Sequence, residues 1–348
     1  MKSVPYPGTV FVLAALVVVV AGMKAATGLL VPFMLSAFVT ILLVPLLNWL
    51  IAKRVPRPLA FFLVIFFVFG ILVGMTGFLS THLADLFAHA DDWQEAMTEN
   101  LDRWIEWLKS QGIDVDRSLF LATFQPQKLF TFTLSLVKNT SVLLSNSLLI
   151  FLTVVFMLAE SFVIKKKIAY IERVSGIEGL SQRIDIFTDR LNHYFTFKAF
   201  TSALTGLWIV VVLYWFDVPY PILWGIGGFL LNFVPVIGSI IAAIPPVLLS
   251  LATHGYAEAF WVAGWFVVIN IVIGNLLEPR IMGRGLELSE LVVFVSLVFW
   301  GWVFGKVGML LAVPLTMVVK FALETDERTR WIAIMLSNRV PNDGKNRS

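Results

Sequence analysis

Apolar residues in this chain run in long uncharged blocks and not in short alternations. A helix needs about 20 such residues to cross a hydrocarbon layer about 30 Å thick. Six blocks meet that length, at 4–23, 29–50, 59–79, 139–159, 199–216 and 259–277. Two further regions do not fit a straight span. Residues 218–253 carry no charge for longer than one crossing needs, and are interrupted by Asn232, Pro235, Gly238, Pro245 and Pro246. Residues 291–319 are similar in length and are broken at Gly301, at Gly305 to Gly308 around Lys306, and at Pro314. The pattern predicts an all-α polytopic membrane protein.

Composition agrees. Of 348 residues, 58% are hydrophobic and 14% charged, against about 25% charged in an ordinary soluble domain. A single water-soluble core does not absorb that much apolar surface, so lipid is the expected solvent. The net charge of +3 is mild, and the basic residues sit in short clusters, which sets topology and gives no sign of nucleic-acid binding. Cysteine is absent, which excludes disulfides, thiolate metal sites and cysteine nucleophiles. Lys2 followed by apolar 10–22 resembles a signal peptide, but the chain turns apolar again after Lys24; a signal anchor leading into a helical hairpin is the expectation.

Basic clusters place the loops. Lys53, Arg54 and Arg57 follow the second span and Lys165 to Lys167 the fourth, so both lie inside. The N-terminus is then cytoplasmic and 81–138 extracytoplasmic. Arg280 and Arg284, and a tail carrying Arg328, Arg330, Arg339 and Lys345, belong inside as well. These demands agree if 218–257 enters and leaves at the outer face and 289–320 at the inner face, giving six full spans plus two re-entrant hairpins. Two kinked full spans are the alternative. The parts are then membrane helices over 1–80, the outer segment 81–138, the fourth span and basic linker 139–198, a span with the first hairpin 199–257, a span with the second hairpin 258–322, and a cytoplasmic tail 323–348.

Within the outer segment, Leu83, Leu86, Phe87, Ala90, Trp93, Met97, Leu101, Trp104, Ile105 and Leu108 recur at helical spacing, opposite Asp85, Asp91, Asp92, Glu95, Glu99, Asp102 and Glu106. This amphipathic helix ends at Gly112, and a second short helix follows near 126–137. The Trp and Leu stripe packs either on a neighbouring subunit or on the chain itself. Farther on, Gly238-Ser-Ile-Ile-Ala-Ala-Ile-Pro245 resembles Gly308-Met-Leu-Leu-Ala-Val-Pro314 with one residue missing. Each follows a span that ends in a carboxylate and a proline, Asp217 with Pro219 and Glu278 with Pro279. Under the charge-based topology the two copies are inverted, and inverted repeats with broken helices point to a transporter binding site.

Asn232-Phe-Val-Pro-Val-Ile-Gly-Ser-Ile-Ile-Ala-Ala-Ile-Pro-Pro246, Leu277-Glu-Pro-Arg-Ile-Met-Gly-Arg-Gly285 and the 308–314 segment are similar to three motifs of the autoinducer-2 exporter family, bacterial inner-membrane permeases. The resemblance covers nearly the whole chain. It implies export of a small hydrophilic furanone signal of quorum sensing, and a homo-oligomer of five subunits. Some relatives are credited with sodium–proton antiport, so the family fixes architecture better than substrate.

Candidate solute contacts are Asn232, Pro235 and Gly238 at the first hairpin tip, Asn270 and Asn275 on the sixth span, and Lys306 at the second tip. Proline and glycine free backbone groups there, and each amide adds a donor and an acceptor; a structural turn or interhelical glue is the plainer role for each. Lys306 is expected near the midplane, where a charge is functional unless it snorkels. Glu278 binds a coupling ion, or pairs with Arg280 or Lys198. Gly305 and Gly308 give a close-packed hinge. Among the four histidines there is no metal-ligand spacing, and no phosphate-binding glycine loop is present, so ATP does not drive the protein. No cofactor and no enzymatic constellation are expected. Secondary transport by alternating access is the leading function, with cation antiport and a non-transport membrane scaffold as alternatives.

Overall fold

The computed structural model describes residues 6–113, 147–176, 179–235, 237–282, 288–325 and 327–338, and these are helical with no strand among them. In chain order the helices are α1 (Tyr6–Ala25), α2 (Thr27–Ala52), α3 (Arg57–Ala88), α4 (Ala90–Ser110), α5 (Ser147–Ser175), α6 (Leu180–Trp215), α7 (Pro221–Leu231), α8 (Ile237–His254), α9 (Tyr256–Ile269), α10 (Glu278–Met282), α11 (Glu290–Leu310), α12 (Ala312–Thr325) and α13 (Arg330–Met335). A π-helical stretch, Asn270–Leu277, joins α9 to α10. Seven of the described helices are long and apolar enough to cross a bilayer. The chain is a polytopic membrane protein.

The residues fall into two compact units, one of 1–48, 149–191 and 287–348, the other of 49–148 and 192–286. In the second, α7 has 11 residues and is roughly 16 Å long at 1.5 Å per residue, half of what a crossing needs. The chain then turns at 232–235 and returns as α8. Tyr220 stands before α7 in the left-handed region at φ 61, with Pro221 at the first helical position, where a proline's missing N–H costs nothing. A Cβ at Gly238 would overlap the carbonyl oxygen of Leu231 and lie 2.8 Å from its carbon. Only glycine lets the two arms close this tightly.

Both ends of this helix pair are held by one segment. The Tyr220 hydroxyl donates to Asp85 Oδ2 at 2.6 Å. Asn100 Nδ2 donates to the Ala252 carbonyl at 2.9 Å, and Trp104 and Trp107 lie 6.0 and 5.8 Å from the Tyr256 ring. Burial, then the bond to Asp85, push the Tyr220 hydroxyl up to about 12, so it remains a donor at neutral pH. The stripe of α4 therefore packs on α8: Met97 and Leu101 meet Ala252, with Trp93, Trp104, Leu248 and Leu251 around them. Of the two expected partners for this stripe, its own chain is the one observed. The acidic residues Asp91, Asp92, Glu95, Glu99 and Glu106 face outward.

Some boundaries differ from the pattern-based ones. The third span does not stop near residue 80: α3 runs to Ala88, because Leu79, Leu83 and Leu86 enter the core with Ile209, Leu213 and Trp224. The amphipathic helix is split at His89. α6 starts at Leu180 and passes residue 198 unbroken; at roughly 54 Å it outreaches the membrane. Residues 126–137 lie outside the described residues.

In the first unit, α11 reverses at Gly305, whose φ of 66 and ψ of −145 are non-helical. A Cβ at Gly308 would overlap the Trp300 carbonyl oxygen, lie 2.6 Å from its carbon and 2.9 Å from Phe304 Cβ. The expected tip at Gly305 to Gly308 and its glycine contact thus repeat the arrangement at Gly238. The Trp300 Nε1–H donates to Thr316 Oγ1 at 3.0 Å across the arms, and the Ser289 N–H donates to the Leu336 carbonyl at 3.1 Å, which ties the start of α11 to the end of α13. The tip is not midway along α1 and α2. Lys24 Nζ sits 3.7 Å over the Trp302 ring and Thr27 Oγ1 donates to the Val303 carbonyl at 3.3 Å, which sets the tip level with the α1–α2 turn. Lys306 is exposed there. Fifteen helical residues from Glu290 to Phe304 put the tip roughly 22 Å along α11 from its start.

Candidate solute cleft

α6 is the backbone of the site. Lys198, Thr201, Ser202 and Thr205 recur on one face of this helix and are all buried, at 5%, 0%, 0% and 7% exposure. Thr201 and Thr205 satisfy their hydroxyls on the carbonyls of Lys198 and Thr201, at 3.2 and 2.9 Å. Such polar side chains in an apolar helix are costly unless they face protein or a wet cavity. Against this face, Asn232 Nδ2 at the hairpin tip donates to Ser202 Oγ at 3.0 Å. The tip therefore lies some 12 residues, or roughly 18 Å, below Tyr220.

A narrow crevice opens beside that bond, lined by Thr205, Ile209, Gly228, Asn232, Ser239, Ala242, Phe266, Ile269, Asn270 and Gly274. A few polar groups set in apolar walls make the usual form of a small-molecule site. Glycine contacts fix two of its walls. A Cβ at Gly206 would lie 2.7 Å from the Gly225 carbonyl oxygen, and one at Gly225 would lie 2.9 Å from that of Gly206; close backbones of this kind are how membrane helices associate. The remaining wall is the end of α9 and the π-helical stretch, where Asn270 Oδ1 folds back to 3.1 Å from a Cβ position on Gly274.

Beyond the π stretch, Glu278 Oε1 accepts from Lys198 Nζ at 2.7 Å, with side-chain exposures of 18% and 7%. Of the two partners expected for Glu278, Lys198 is the one bonded to it, while Arg280 is exposed. Asn232, Asn270, Lys198 and Glu278 thus gather around α6. Pro235 is partly buried in the turn and Gly238 closes the hairpin. Asn275 points to the exposed side of its helix and does not line the cleft, and Lys306, Gly305 and Gly308 belong to the other unit. Sequence reasoning missed Ser202, Thr205 and Ser239. The signal was present for two of them: Lys198, Ser202 and Thr205 are spaced four and three apart on an apolar helix. Among the described residues no group of three or more histidine or acidic side chains could hold a metal.

A family model described as AI-2E family transporter matches residues 13–327. The chain belongs to the AI-2E transporter family. It is 37% identical over 331 residues to the AI-2 transport protein TqsA of Escherichia coli K12, covering 94% of this chain and 95% of that protein. It is 36% identical over 337 residues to a putative transport protein of Haemophilus influenzae, covering 95% and 96%, and 35% identical over 331 residues to the putative transport protein YhhT of Escherichia coli K12, covering 94% of each. The relatives are bacterial proteins named for transport, and the family is one of transporters and not of enzymes. A small solute and membrane lipid are the partners this membership carries.

Proposed function

We propose that this protein is a secondary permease of the bacterial inner membrane that exports a small polar signal such as autoinducer-2 by alternating access, with the α6 cleft as its solute site. The observation that carries the reading is the placement of Asn232. It sits at the tip of a helix pair whose two ends are both tied to residues 85–107, and it reaches a buried polar face of a candidate span. That arrangement supports a hairpin that dips in from one side and returns. The basic clusters support the outer face for it, the inner face for the 290–325 pair, and cytoplasmic termini.

Ser202, Thr205, Asn232, Ser239 and Asn270 supply hydroxyls and amides able to bond a polyhydroxylated solute without a net charge. The name of the Escherichia coli relative points to autoinducer-2; an outward direction and a homo-oligomer of five are what the family resemblance implies. Cation antiport through Glu278 is the weaker reading, because Lys198 already neutralises that carboxylate. A scaffold role leaves the buried polar face of α6 without a purpose.

The test is efflux of autoinducer-2 from liposomes containing the purified protein, with and without imposed proton and sodium gradients. Efflux that falls in Asn232→Ala and ignores the gradients is the expected result. Cation exchange abolished by Glu278→Gln selects the antiporter. No flux of either kind leaves the scaffold.

A further inference from the structure

Eight consecutive residues, Asn270–Leu277, are π-helical. This geometry is rare, and where it occurs inside an α-helix it is a single wide turn holding one extra residue, frequently at a functional site. Here it lies between the cleft and the ion pair. Asn270 and Gly274 line the cleft at one end, and Glu278, bonded to Lys198, caps the other.

The other walls are locked. α6 and α7 touch backbone to backbone at Gly206 and Gly225, α7 and α8 close on Gly238, and Asn232 is bonded to Ser202. Among the described walls of the cleft, the π stretch is held by buried Ile273 and by the side-chain ion pair at its end, and not by a close backbone contact. Its hydrogen bonds are of the i→i+5 kind, and Ile271, Val272, Asn275 and Leu276 on its outer side are exposed.

We infer that the Asn270–Leu277 stretch is the moving gate of the cleft, and that its conversion from π to α geometry breaks the Lys198–Glu278 pair and opens the site toward that end. The inference rests on the transport reading above. Taking up the extra residue turns everything beyond it by one position, roughly 100° about the helix axis at 3.6 residues per turn. Glu278 then leaves the face of α6 that holds Lys198. At the other end the same change draws Asn270 Oδ1 off Gly274 and into the cleft, where it meets solute. A solute that bonds Asn270 only in the α state shifts the equilibrium toward opening, as differential affinity requires.

Deleting Val272, an exposed residue of the stretch, removes the extra residue. The helix becomes continuous, Glu278 stays opposite Lys198, and nothing remains to convert. In the purified full chain the deletion is expected to slow amide hydrogen exchange of 270–277 at least tenfold and to cut autoinducer-2 efflux at least tenfold, with thermal stability retained. A second variant avoids any folding defect of a deletion. The chain lacks cysteine, so Lys198→Cys with Glu278→Cys introduces the only thiols. A two-carbon bis-methanethiosulfonate linking them is expected to stop efflux, and reductant to restore it. Exchange unchanged by the deletion, or efflux that persists through the cross-link, overturns the gate. If the parent protein moves no autoinducer-2, the transport reading fails by itself, and exchange of 270–277 still decides whether the stretch converts: fast in the parent and slowed by the deletion upholds it, equal in both overturns it.

Discussion

Asn100 reaches from an amphipathic helix to the carbonyl of Ala252, 152 residues away along the chain, and is buried while doing so. The bond satisfies a carbonyl in the last turn of α8, where intrahelical donors run out. Removing the side chain leaves that carbonyl without a partner at a cost of about 1–3 kcal/mol. Asn100→Ala is therefore expected to lower the melting temperature of the detergent-solubilised protein by several degrees. A variant that melts with the parent would show that α4 is not clamping the hairpin.

The proposed sidedness of the clamped hairpin can be tested by labelling. Single cysteines at Ala257 and Arg280, both exposed, are expected to react with a membrane-impermeant maleimide from opposite faces, Ala257→Cys from outside the cell and Arg280→Cys only after permeabilisation. The reverse pattern, Ala257→Cys protected until permeabilisation and Arg280→Cys labelled in intact cells, would make 218–257 a kinked full span.

Gly238 and Gly308 meet backbone oxygens that cannot move aside. Overpacking of this kind costs about 1–3 kcal/mol and occasionally more, so Gly238→Ala and Gly308→Ala are each expected to reduce the yield of folded protein. Gly227→Ala is the control, since a Cβ there meets nothing within 4 Å and should leave yield and melting unchanged. Size-exclusion profiles of the three variants give the answer.

Breaking a buried ion pair from one side leaves an uncompensated charge and costs about 3–5 kcal/mol. Lys198→Met or Glu278→Gln alone is expected to destabilise strongly, and the exchanged pair Lys198→Glu with Glu278→Lys to recover much of the loss. Denaturation of the single and double variants measures the coupling directly. Coupling near zero would make the 2.7 Å contact incidental.

Ser202→Ala keeps the helix but strands the Asn232 amide. A tenfold loss of autoinducer-2 efflux is expected, equal to about 1.4 kcal/mol, with Ser202→Thr retaining most of the activity. Loss of efflux in both variants alike would point to packing and not to the hydrogen bond.

Much of the architecture was legible before any coordinates because lipid makes apolar run length a direct measure of helix length. The hairpin turns were legible too: Asn232, Pro235, Gly238 and Gly305 are residues that stop helices or permit close approach, and they stand where the chain reverses. The helix ends were not. α3 and α6 extend well past their apolar blocks because Leu83, Leu86 and Leu191 are buried by tertiary contacts that no local pattern encodes. The cleft was half legible. Asn232 and Asn270 stand out in an apolar context, whereas Ser202 and Thr205 hide, since a hydroxyl on a helix satisfies itself on the preceding turn and gives no sign of facing a cavity. The π stretch leaves no compositional mark at all, being a matter of one residue too many between two fixed contacts.

The acidic side of α4 faces away from the protein while its other side grips the returning arm of the hairpin. On the proposed topology, a binder raised against that surface, an antibody fragment for instance, would have a mechanical handle on the proposed solute site without crossing the membrane. Prising α4 loose or pinning it down changes how firmly Asn232 is seated, some 18 Å away. On the proposed topology such a molecule would act from the periplasmic side, although far too large to enter the cleft.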